Sequence, residues 1–145
     1  MLFRSATSSI PAASTFHLRL LGSPNSFGID ATVAAWLESQ PWLDKVMAHL
    51  LSHRDHIAQR IARDVPGVKF YVPEATFLAW MDCTALKLPV TAHKFFHDQA
   101  KVAFNPGETF DPNCAQYARF NFATSRKIVD EIIDRMSAAV RRANT

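Results

Sequence analysis

Arg119 is the residue of this sequence whose surroundings most directly suggest chemistry. It lies close to Tyr117, Phe120 and Phe122 in the segment QYARFNFAT, whose aromatic content is typical of a short strand. A guanidinium among apolar side chains needs an anionic partner, because an unpaired buried charge is costly. That partner is either a carboxylate of the same chain or the carboxylate of a substrate, and the segment alone leaves both open.

Histidines occur in two groups with helical spacing. His49, His53 and His56 follow one another at intervals of four and three residues, and His93 and His97 are four residues apart. Two imidazoles one helical turn apart can bind zinc. The segment HKFFH nevertheless lacks the glutamate of the HExxH motif, so we interpret both groups as solvated helix faces and predict no metal site.

Two cysteines and two acids complete the set of candidate groups. Cys83 and Cys114 fit no CxxC or zinc-finger spacing. They indicate reduced thiols in a cytoplasmic protein, although the spacing leaves a disulfide open. We interpret Cys83 as a small apolar residue at a strand end rather than a nucleophile. Glu74 and Asp82 are too isolated in the sequence to define an acid–base pair.

Composition narrows the class of protein. The chain has 145 residues, 48% of them hydrophobic, and a formal net charge of +3. This length fits one domain with a real core. No apolar run reaches 18 residues, so we expect no membrane span. Basic residues are interleaved with acids and form no dense cluster, so nucleic-acid binding has no support in the sequence.

The first part of the chain differs from the rest in composition. Residues 1–29 contain no Asp or Glu and are rich in Ser, Thr and Ala around Arg4, His17 and Arg19. This composition is shared by organellar transit peptides. We prefer a second interpretation, in which residues 1–20 are a leader that is either disordered or out of its original context.

Helices are expected at both ends of the remaining sequence. Asp30 is expected to cap a first helix. A long second helix is predicted from Ser39 or Gln40 to the Pro66-Gly67 stop signal. A short helix is expected at TAHKFFHDQAK, and Ser125 is expected to cap the last one. The apolar stripe of the last helix comprises Val129, Ile132, Ile133, Met136 and Val140.

The middle of the sequence predicts a small sheet. Strands are expected at Val68–Val72, Phe77–Asp82, Val102–Phe104 and Tyr117–Phe122, and the second is apolar enough to be covered on both faces. We predict an α+β fold with helices packed on a small, mostly antiparallel sheet. The tryptophans are expected to anchor its core; they are Trp36, Trp42 and Trp80.

Three segments carry a resemblance to a known family: PEATFLAWMDC, FFHDQAKVAFNPGETF and YARFNFATSRKIVDEIIDRM. Together they resemble the C-terminal part of fold type I pyridoxal-phosphate enzymes, and within that superfamily the MalY/PatB-type cystathionine β-lyases, which are related to class I/II aminotransferases. The likeness covers about Leu21–Ala143. It implies that residues 21–145 form the small C-terminal domain of an aspartate-aminotransferase-like fold, together with the interdomain helices.

The resemblance also implies a role for Arg119. The arginine of the matching strand in this family binds the α-carboxylate of the substrate, and a guanidinium suits a carboxylate because it can form a bidentate contact. The sequence departs from the family pattern at Ala75 and Asp111, where glycine is usual, and in the loop DPNCAQ before the arginine. Because these loops border the active site in the family, the shape of the site is expected to differ.

The cofactor of the family implies residues that this sequence does not match. Pyridoxal 5'-phosphate forms a Schiff base with a lysine of a large N-terminal domain, in a segment that precedes the part matched here. None of the lysines lies in that context; they are Lys45, Lys69, Lys87, Lys94, Lys101 and Lys127. We therefore expect a truncated chain with no catalytic residue of its own, unknown cofactor-binding residues, and no pyridoxal phosphate bound by the chain alone.

The activity implied by the resemblance is a carbon–sulfur β-lyase reaction that releases a thiol, pyruvate and ammonia from an S-substituted cysteine. Its substrate would be a small amino acid and its expected assembly a homodimer, without nucleic acid or membrane partners. Three alternatives stay open: a class I/II aminotransferase fragment, a non-catalytic remnant that binds a full-length homologue, and a generic α+β binding module.

Overall fold

The computed structural model describes residues 25–143, so the predicted leader at residues 1–20 lies outside the described residues. The chain divides into two compact units, Met1–Leu43 and Asp44–Thr145. Helix α1, Ser26–Glu38, belongs to the first unit. Its N-cap is Asn25, whose side chain accepts a hydrogen bond from the backbone N–H of Gly28. The prediction that Asp30 caps this helix is therefore wrong, because the helix begins four residues earlier.

Helix α2 spans Gln40–Asp64, as its sequence signals predicted. Pro41 lies in the first turn, where its missing N–H leaves no hydrogen bond unmade. The chain turns at Gly67, whose φ of +94° lies in the left-handed region and whose missing side chain leaves room for Leu86. The predicted stop at Pro66-Gly67 is confirmed.

The sheet has four antiparallel strands in the order β1-β2-β4-β3. Their bounds are Lys69–Tyr71 for β1, Leu78–Asp82 for β2, Asn105–Pro106 for β3 and Tyr117–Asn121 for β4. Three predicted strands are found with shorter bounds. The strand predicted at Val102–Phe104 is wrong, because that apolar segment is irregular and the pairing with β4 begins only at Asn105.

Two further helices accompany the sheet. Helix α3, Ala92–Phe95, continues into a π-helical turn at Phe96–Ala100. Helix α4, Arg126–Ala143, carries Arg141 and Arg142 in its last turn, where cations suit the helix dipole. The hydroxyl of Ser125 accepts a hydrogen bond from the N–H of Ile128, which supports the predicted cap. The stripe predicted on α4 faces the core, with Ile132 at its half-buried margin.

One face of the sheet covers the core and the other is left open. Side chains of β2 and β4 alternate between buried and half-buried positions, with Met81 and Phe120 on the buried side. The prediction that β2 is covered on both faces is wrong for this reason. The prediction that the tryptophans anchor the core is also wrong. Trp36 and Trp42 are exposed, and Trp80 is half-buried on the open face.

No helix among residues 25–143 is long and apolar enough to cross a lipid bilayer.

Candidate functional site

Arg119 lies on the open face of the sheet, in the middle of β4. Its neighbours along the strand, Ala118 and Phe120, point into the core and are buried, whereas Arg119 is half-buried. Across the sheet it stands opposite Trp80 of β2 on one side and Asn105 of β3 on the other. The guanidinium is therefore not enclosed in the core, as its apolar neighbours in sequence suggested, because the period of a strand places it on the opposite face.

Among residues 25–143, the side chains of Asn105 and Phe110 contact the guanidinium of Arg119. The Oδ1 atom of Asn105 accepts hydrogen bonds from Nη2 at 3.1 Å and, at the longer distance of 3.4 Å, from Nε. The ring of Phe110 lies beneath the guanidinium, with Cζ 4.8 Å from the ring centroid, which is within cation–π range. Sequence reasoning missed both contacts. The register of β3 against β4 brings Asn105 opposite Arg119, and the segment NPGETF folds Phe110 back beneath it.

No ion pair formed within residues 25–143 includes Arg119. Arg60 has the opposite surroundings, because its guanidinium pairs with carboxylates of helices α2 and α4 at Asp64, Asp130 and Asp134. Of the two partners that the sequence left open for Arg119, the described chain supplies no carboxylate. The positive charge of Arg119 is therefore available to an anion from outside these residues.

Aromatic rings extend the open face on both sides of Arg119. Trp80 stacks on Tyr117 at 5.8 Å between ring centroids and meets the ring of Phe110 edge-on at 5.5 Å. Asp82 stands opposite Tyr117 at the end of β2. Burial tends to raise the pKa of Asp82, but hydrogen bonds from Thr84 and Tyr117 and the charge of Lys69 together outweigh it, so the net pKa is lowered and the carboxylate is ionised near neutral pH.

The first histidine group is not the solvated face that the sequence predicted. His53 is 1% exposed, and its Nδ1 lies 3.4 Å from the carbonyl oxygen of Phe122, whereas His49 is exposed. The reason is geometric, because His53 shares the buried stripe of α2 with Ile57 and Ile61. His56 is half-buried and its Nε2 lies 2.6 Å from the Oδ1 atom of Asp130 on α4.

The second histidine group contacts acids rather than a metal set. The Nδ1 of His93 is 3.0 Å from an oxygen of Glu108, and the Nδ1 of His97 is 3.1 Å from Asp98. Within the described part of the chain, no cluster of three or more His, Cys, Asp or Glu side chains could hold a metal ion. The two histidine groups are not brought together into one site.

The cysteines are free thiols in the structure. Cys83 is buried at the end of β2, and burial raises the pKa of its thiol to about 12. A thiol with such a pKa is protonated near neutral pH and is not a nucleophile. The interpretation of Cys83 as a small apolar core residue is confirmed by this burial.

Comparison with known proteins identifies relatives, although no family model matches the chain. A candidate cystathionine β-lyase of Mycobacterium tuberculosis is 31% identical over 134 residues, which cover 81% of this chain and 33% of that protein. Cystathionine β-lyase PatB of Bacillus subtilis is 26% identical, with 83% of this chain and 31% of that protein covered.

A solved structure gives the same relationship at the level of fold. It is a candidate pyridoxal-phosphate-dependent β-cystathionase of Corynebacterium diphtheriae, with a TM-score of 0.82 and 31% identity, covering 89% of this chain and 34% of that chain. The homologues of this chain are cystathionine β-lyases and pyridoxal-phosphate-dependent C–S lyases, which it matches over their C-terminal part. The predicted α+β, aspartate-aminotransferase-like fold is confirmed, and a generic binding module with a chance resemblance is excluded.

The match to the cystathionine β-lyase family concerns the C-terminal part of its members. The chain spans about a third of the length of the curated relatives that it matches. Within this third, Arg119 on β4 is the residue predicted above to bind the substrate carboxylate, and residues 25–143 supply no carboxylate partner to its guanidinium.

The residues described here do not fit the Schiff-base chemistry of the cystathionine β-lyase cofactor. All six lysines of the chain are exposed. A lysine that forms a productive Schiff base needs a lowered pKa, which burial or a cationic neighbour provides. The one lysine with a resolved shift has the opposite tendency, because the neighbouring Tyr71 hydroxyl raises the pKa of Lys69.

Proposed function

We propose that this chain supplies the substrate-carboxylate-binding part of a pyridoxal-phosphate-dependent carbon–sulfur β-lyase. One observation carries the proposal: the guanidinium of Arg119 lies half-exposed on the open face of the sheet, with a neutral partner and no carboxylate among residues 25–143. An arginine in this state can bind the α-carboxylate of an amino acid in a bidentate contact.

The proposed reaction is the one named for the curated relatives. A cystathionine β-lyase removes the sulfur substituent from an amino acid, and pyridoxal phosphate supplies the electron sink for such eliminations when bound. In this division of labour the chain contributes binding and orientation through Arg119. The cofactor lysine would come from a large domain, since the lysines described here are all exposed. On its own the chain would be inactive.

The domain boundaries, the cellular compartment and the binding partners are also part of this proposal. Residues 21–145 would form the small C-terminal domain with its interdomain helices, and residues 1–20 a leader. We place the protein in the cytoplasm, acting on a small amino acid, without nucleic acid or membrane partners. A homodimer is the proposed assembly. It is supported by the large apolar side chains that α1 exposes, among them Phe27, Trp36 and Leu37, because exposed apolar clusters mark interaction surfaces.

The test of the carboxylate role uses the chain together with the N-terminal two-thirds of a relative such as PatB. We expect Arg119→Ala to weaken the binding of S-substituted cysteines by about 10-fold to 100-fold, because one charge-assisted bidentate contact is lost. Binding of pyridoxal phosphate, followed by its absorbance, is expected to stay unchanged, since its contacts would lie in the other domain.

A matched control distinguishes the loss of the Arg119 contact from the loss of any one positive charge of the chain. Arg54→Ala removes a guanidinium whose partner is the adjacent Asp55 on α2, and it should leave substrate binding as in the wild type. Equal substrate affinity in the Arg119→Ala and wild-type complexes would overturn the proposal. Pyruvate release without transfer of the amino group to an added keto acid would favour the lyase over the aminotransferase alternative.

A further inference from the structure

The guanidinium of Arg119 is contacted on one of its two hydrogen-bonding edges. Asn105 Oδ1 accepts from Nη2 and, at a longer distance, from Nε, so it occupies the edge formed by these two nitrogens. An arginine offers five N–H donors in a planar fork. Among residues 25–143 no acceptor engages the second edge, which consists of Nη1 and the remaining N–H of Nη2. That edge has the geometry for a bidentate carboxylate.

The chemical type of the partner matters as much as its position. An amide oxygen holds the guanidinium without cancelling its charge, whereas a carboxylate would neutralise it. Arg60 in the same chain illustrates the second case, since its nitrogens pair with three different carboxylates and its role is to join α2 to α4. Arg119 is held by a neutral amide, so its charge stays uncompensated by that partner. Arg60 is held by carboxylates, which compensate its charge.

Phe110 restrains the same group without taking its charge. Its ring lies 4.8 Å from the Cζ of Arg119, and the edge-on contact with Trp80 at 5.5 Å, near-perpendicular at 83°, fixes the ring in turn. The aromatic face attracts the cation and limits its movement toward the ring. Backbone pairing places Asn105 directly opposite Arg119 in the sheet, so the amide lies within reach of the guanidinium.

We infer that Asn105 and Phe110 are positioning residues for Arg119, which hold its guanidinium in one orientation and keep the Nη1–Nη2 edge free for an incoming carboxylate. The inference rests on the proposed carboxylate-binding function, and it adds which residues make the site specific for a carboxylate. Asn105 selects an anionic ligand because its own side chain is neutral, and the ligand class is a small-molecule carboxylate bound through both oxygens on that edge.

The test follows the Arg119 Nε–H resonance by NMR in the complete isotope-labelled chain. Acetate is added at constant ionic strength as the carboxylate probe, and the Nε order parameter measures how firmly the guanidinium is held. We expect Asn105→Ala and Phe110→Leu each to lower this order parameter. Acetate should then bind about twofold more weakly, because its binding must also restrict a freer side chain.

Asn105→Asp is the decisive variant, because it keeps the shape and the acceptor but adds a charge. We expect it to retain the order parameter and to weaken acetate binding by about fivefold, since the new carboxylate competes for the guanidinium. Gln59→Glu makes the same amide-to-carboxylate change on the exposed side of α2, outside the loops around Arg119, and serves as the control, with acetate binding as in the wild type. Melting temperatures check that each variant folds.

The possible results separate this inference from the function on which it rests. If the wild-type Arg119 resonance does not respond to acetate, the carboxylate-binding function is wrong. If it responds, but Asn105→Asp binds acetate as well as the wild type, the role assigned to Asn105 is overturned. Unchanged order parameters in Asn105→Ala and Phe110→Leu would overturn the positioning role of both residues. Weaker binding by Asn105→Asp than by Asn105→Ala supports the inference, because a purely structural asparagine would give the reverse order.

Discussion

At the scale of single residues, His53 links stability to pH. Its Nδ1 must donate to the carbonyl of Phe122, because a carbonyl can only accept, so the buried Nε2 is left unprotonated and without a partner among the described residues. Burial lowers the pKa of His53 from its ordinary value of 6.5 and is the largest effect. The hydrogen bond to Phe122 opposes it as the second-largest effect, and the nearby His49, Arg126 and His56 each lower the pKa further by a smaller amount.

The direction of the pH effect follows from this lowered pKa. The unfolded chain binds a proton at His53 more readily than the folded chain does, so the contribution of His53 to stability is full above pH 6.5 and is lost as the pH falls through the folded pKa. We expect the melting temperature to decrease as the pH is lowered from 7.5 to 5.5. The variant His53→Gln should show a smaller decrease over the same range. His97→Gln changes an exposed ring and should leave the slope unchanged; an identical slope in His53→Gln would contradict the prediction.

Arg119 shows how far residue-scale reasoning from the sequence can go. Its importance was predictable from a charged side chain inside an aromatic strand and from the family pattern. Its surroundings were not predictable, because they come from β3, whose two residues lack any strand signature in the sequence. The neutral partner Asn105 and the ring of Phe110 reach the guanidinium only through the register of β3 and the turn that follows it.

At the scale of elements, Gly107 holds the turn between β3 and β4. A Cβ atom at this position would lie 2.2 Å from the carbonyl oxygen of Cys114 and 2.5 Å from that of Tyr117. Both are backbone atoms, which cannot move aside as a side chain would. We expect Gly107→Ala to destabilise the fold by about 1–3 kcal/mol, measured by urea unfolding, and to disturb the Arg119 Nε–H resonance.

Gly28→Ala is the matched control for this substitution. There the nearest atom to a new Cβ is Asn25 Oδ1 at 3.3 Å, which belongs to a side chain that can shift, and Gly28 lies within α1, where alanine is the better helix former. Its stability should change by less than that of Gly107→Ala. Equal effects of the two substitutions would show that the backbone contact at Gly107 is not the cause.

The pairing of α2 with α4 depends on a charged contact as well as on the apolar stripe. The guanidinium of Arg60, whose side chain is 16% exposed, reaches Asp64 on its own helix and two acids of α4. Arg60→Lys keeps the charge but cannot span all these partners, because an ammonium lacks the planar fork. We expect a loss of about 1 kcal/mol in the free energy of unfolding.

A control on the same helix tests whether the loss comes from the network. Arg54→Lys alters a pair with the adjacent, exposed Asp55, and exposed pairs contribute little. Its free energy of unfolding should stay close to that of the wild type. The network would be dispensable if Arg60→Lys were equally neutral in urea unfolding at low ionic strength.

The elements themselves were largely predictable, because they follow local signals. Pro41, the Pro66-Gly67 pair and the stripe of α4 locate helix ends and faces from spacing alone. The tryptophans were misassigned because hydrophobicity predicts burial but does not say against which surface. Trp36 and Trp42 are 80% and 65% exposed in the structure, and Trp80 contributes to the aromatic open face instead of the core.

At the scale of the whole molecule, the chain combines an arginine that has no carboxylate partner among residues 25–143 with six lysines that are all exposed. It spans about a third of the length of the curated relatives that it matches. The open face of the sheet and the exposed apolar side chains of α1 are the surfaces with which a second domain could be paired experimentally. The helix α1 belongs to one compact unit and the sheet to the other, and all six lysines of the chain are exposed.

The last prediction concerns pyridoxal phosphate and the isolated chain. Exposed lysines have ordinary reactivity, so incubation with the cofactor, borohydride reduction and mass spectrometry should give scattered trace labelling over several lysines. No pyruvate should be released from cystathionine. A single stoichiometric adduct accompanied by turnover would overturn the prediction. If a separately expressed large domain of a relative is added, we expect pyruvate release to appear and to be lost again with Arg119→Ala, because under the proposed function the added domain would bring the lysine and this chain the carboxylate contact.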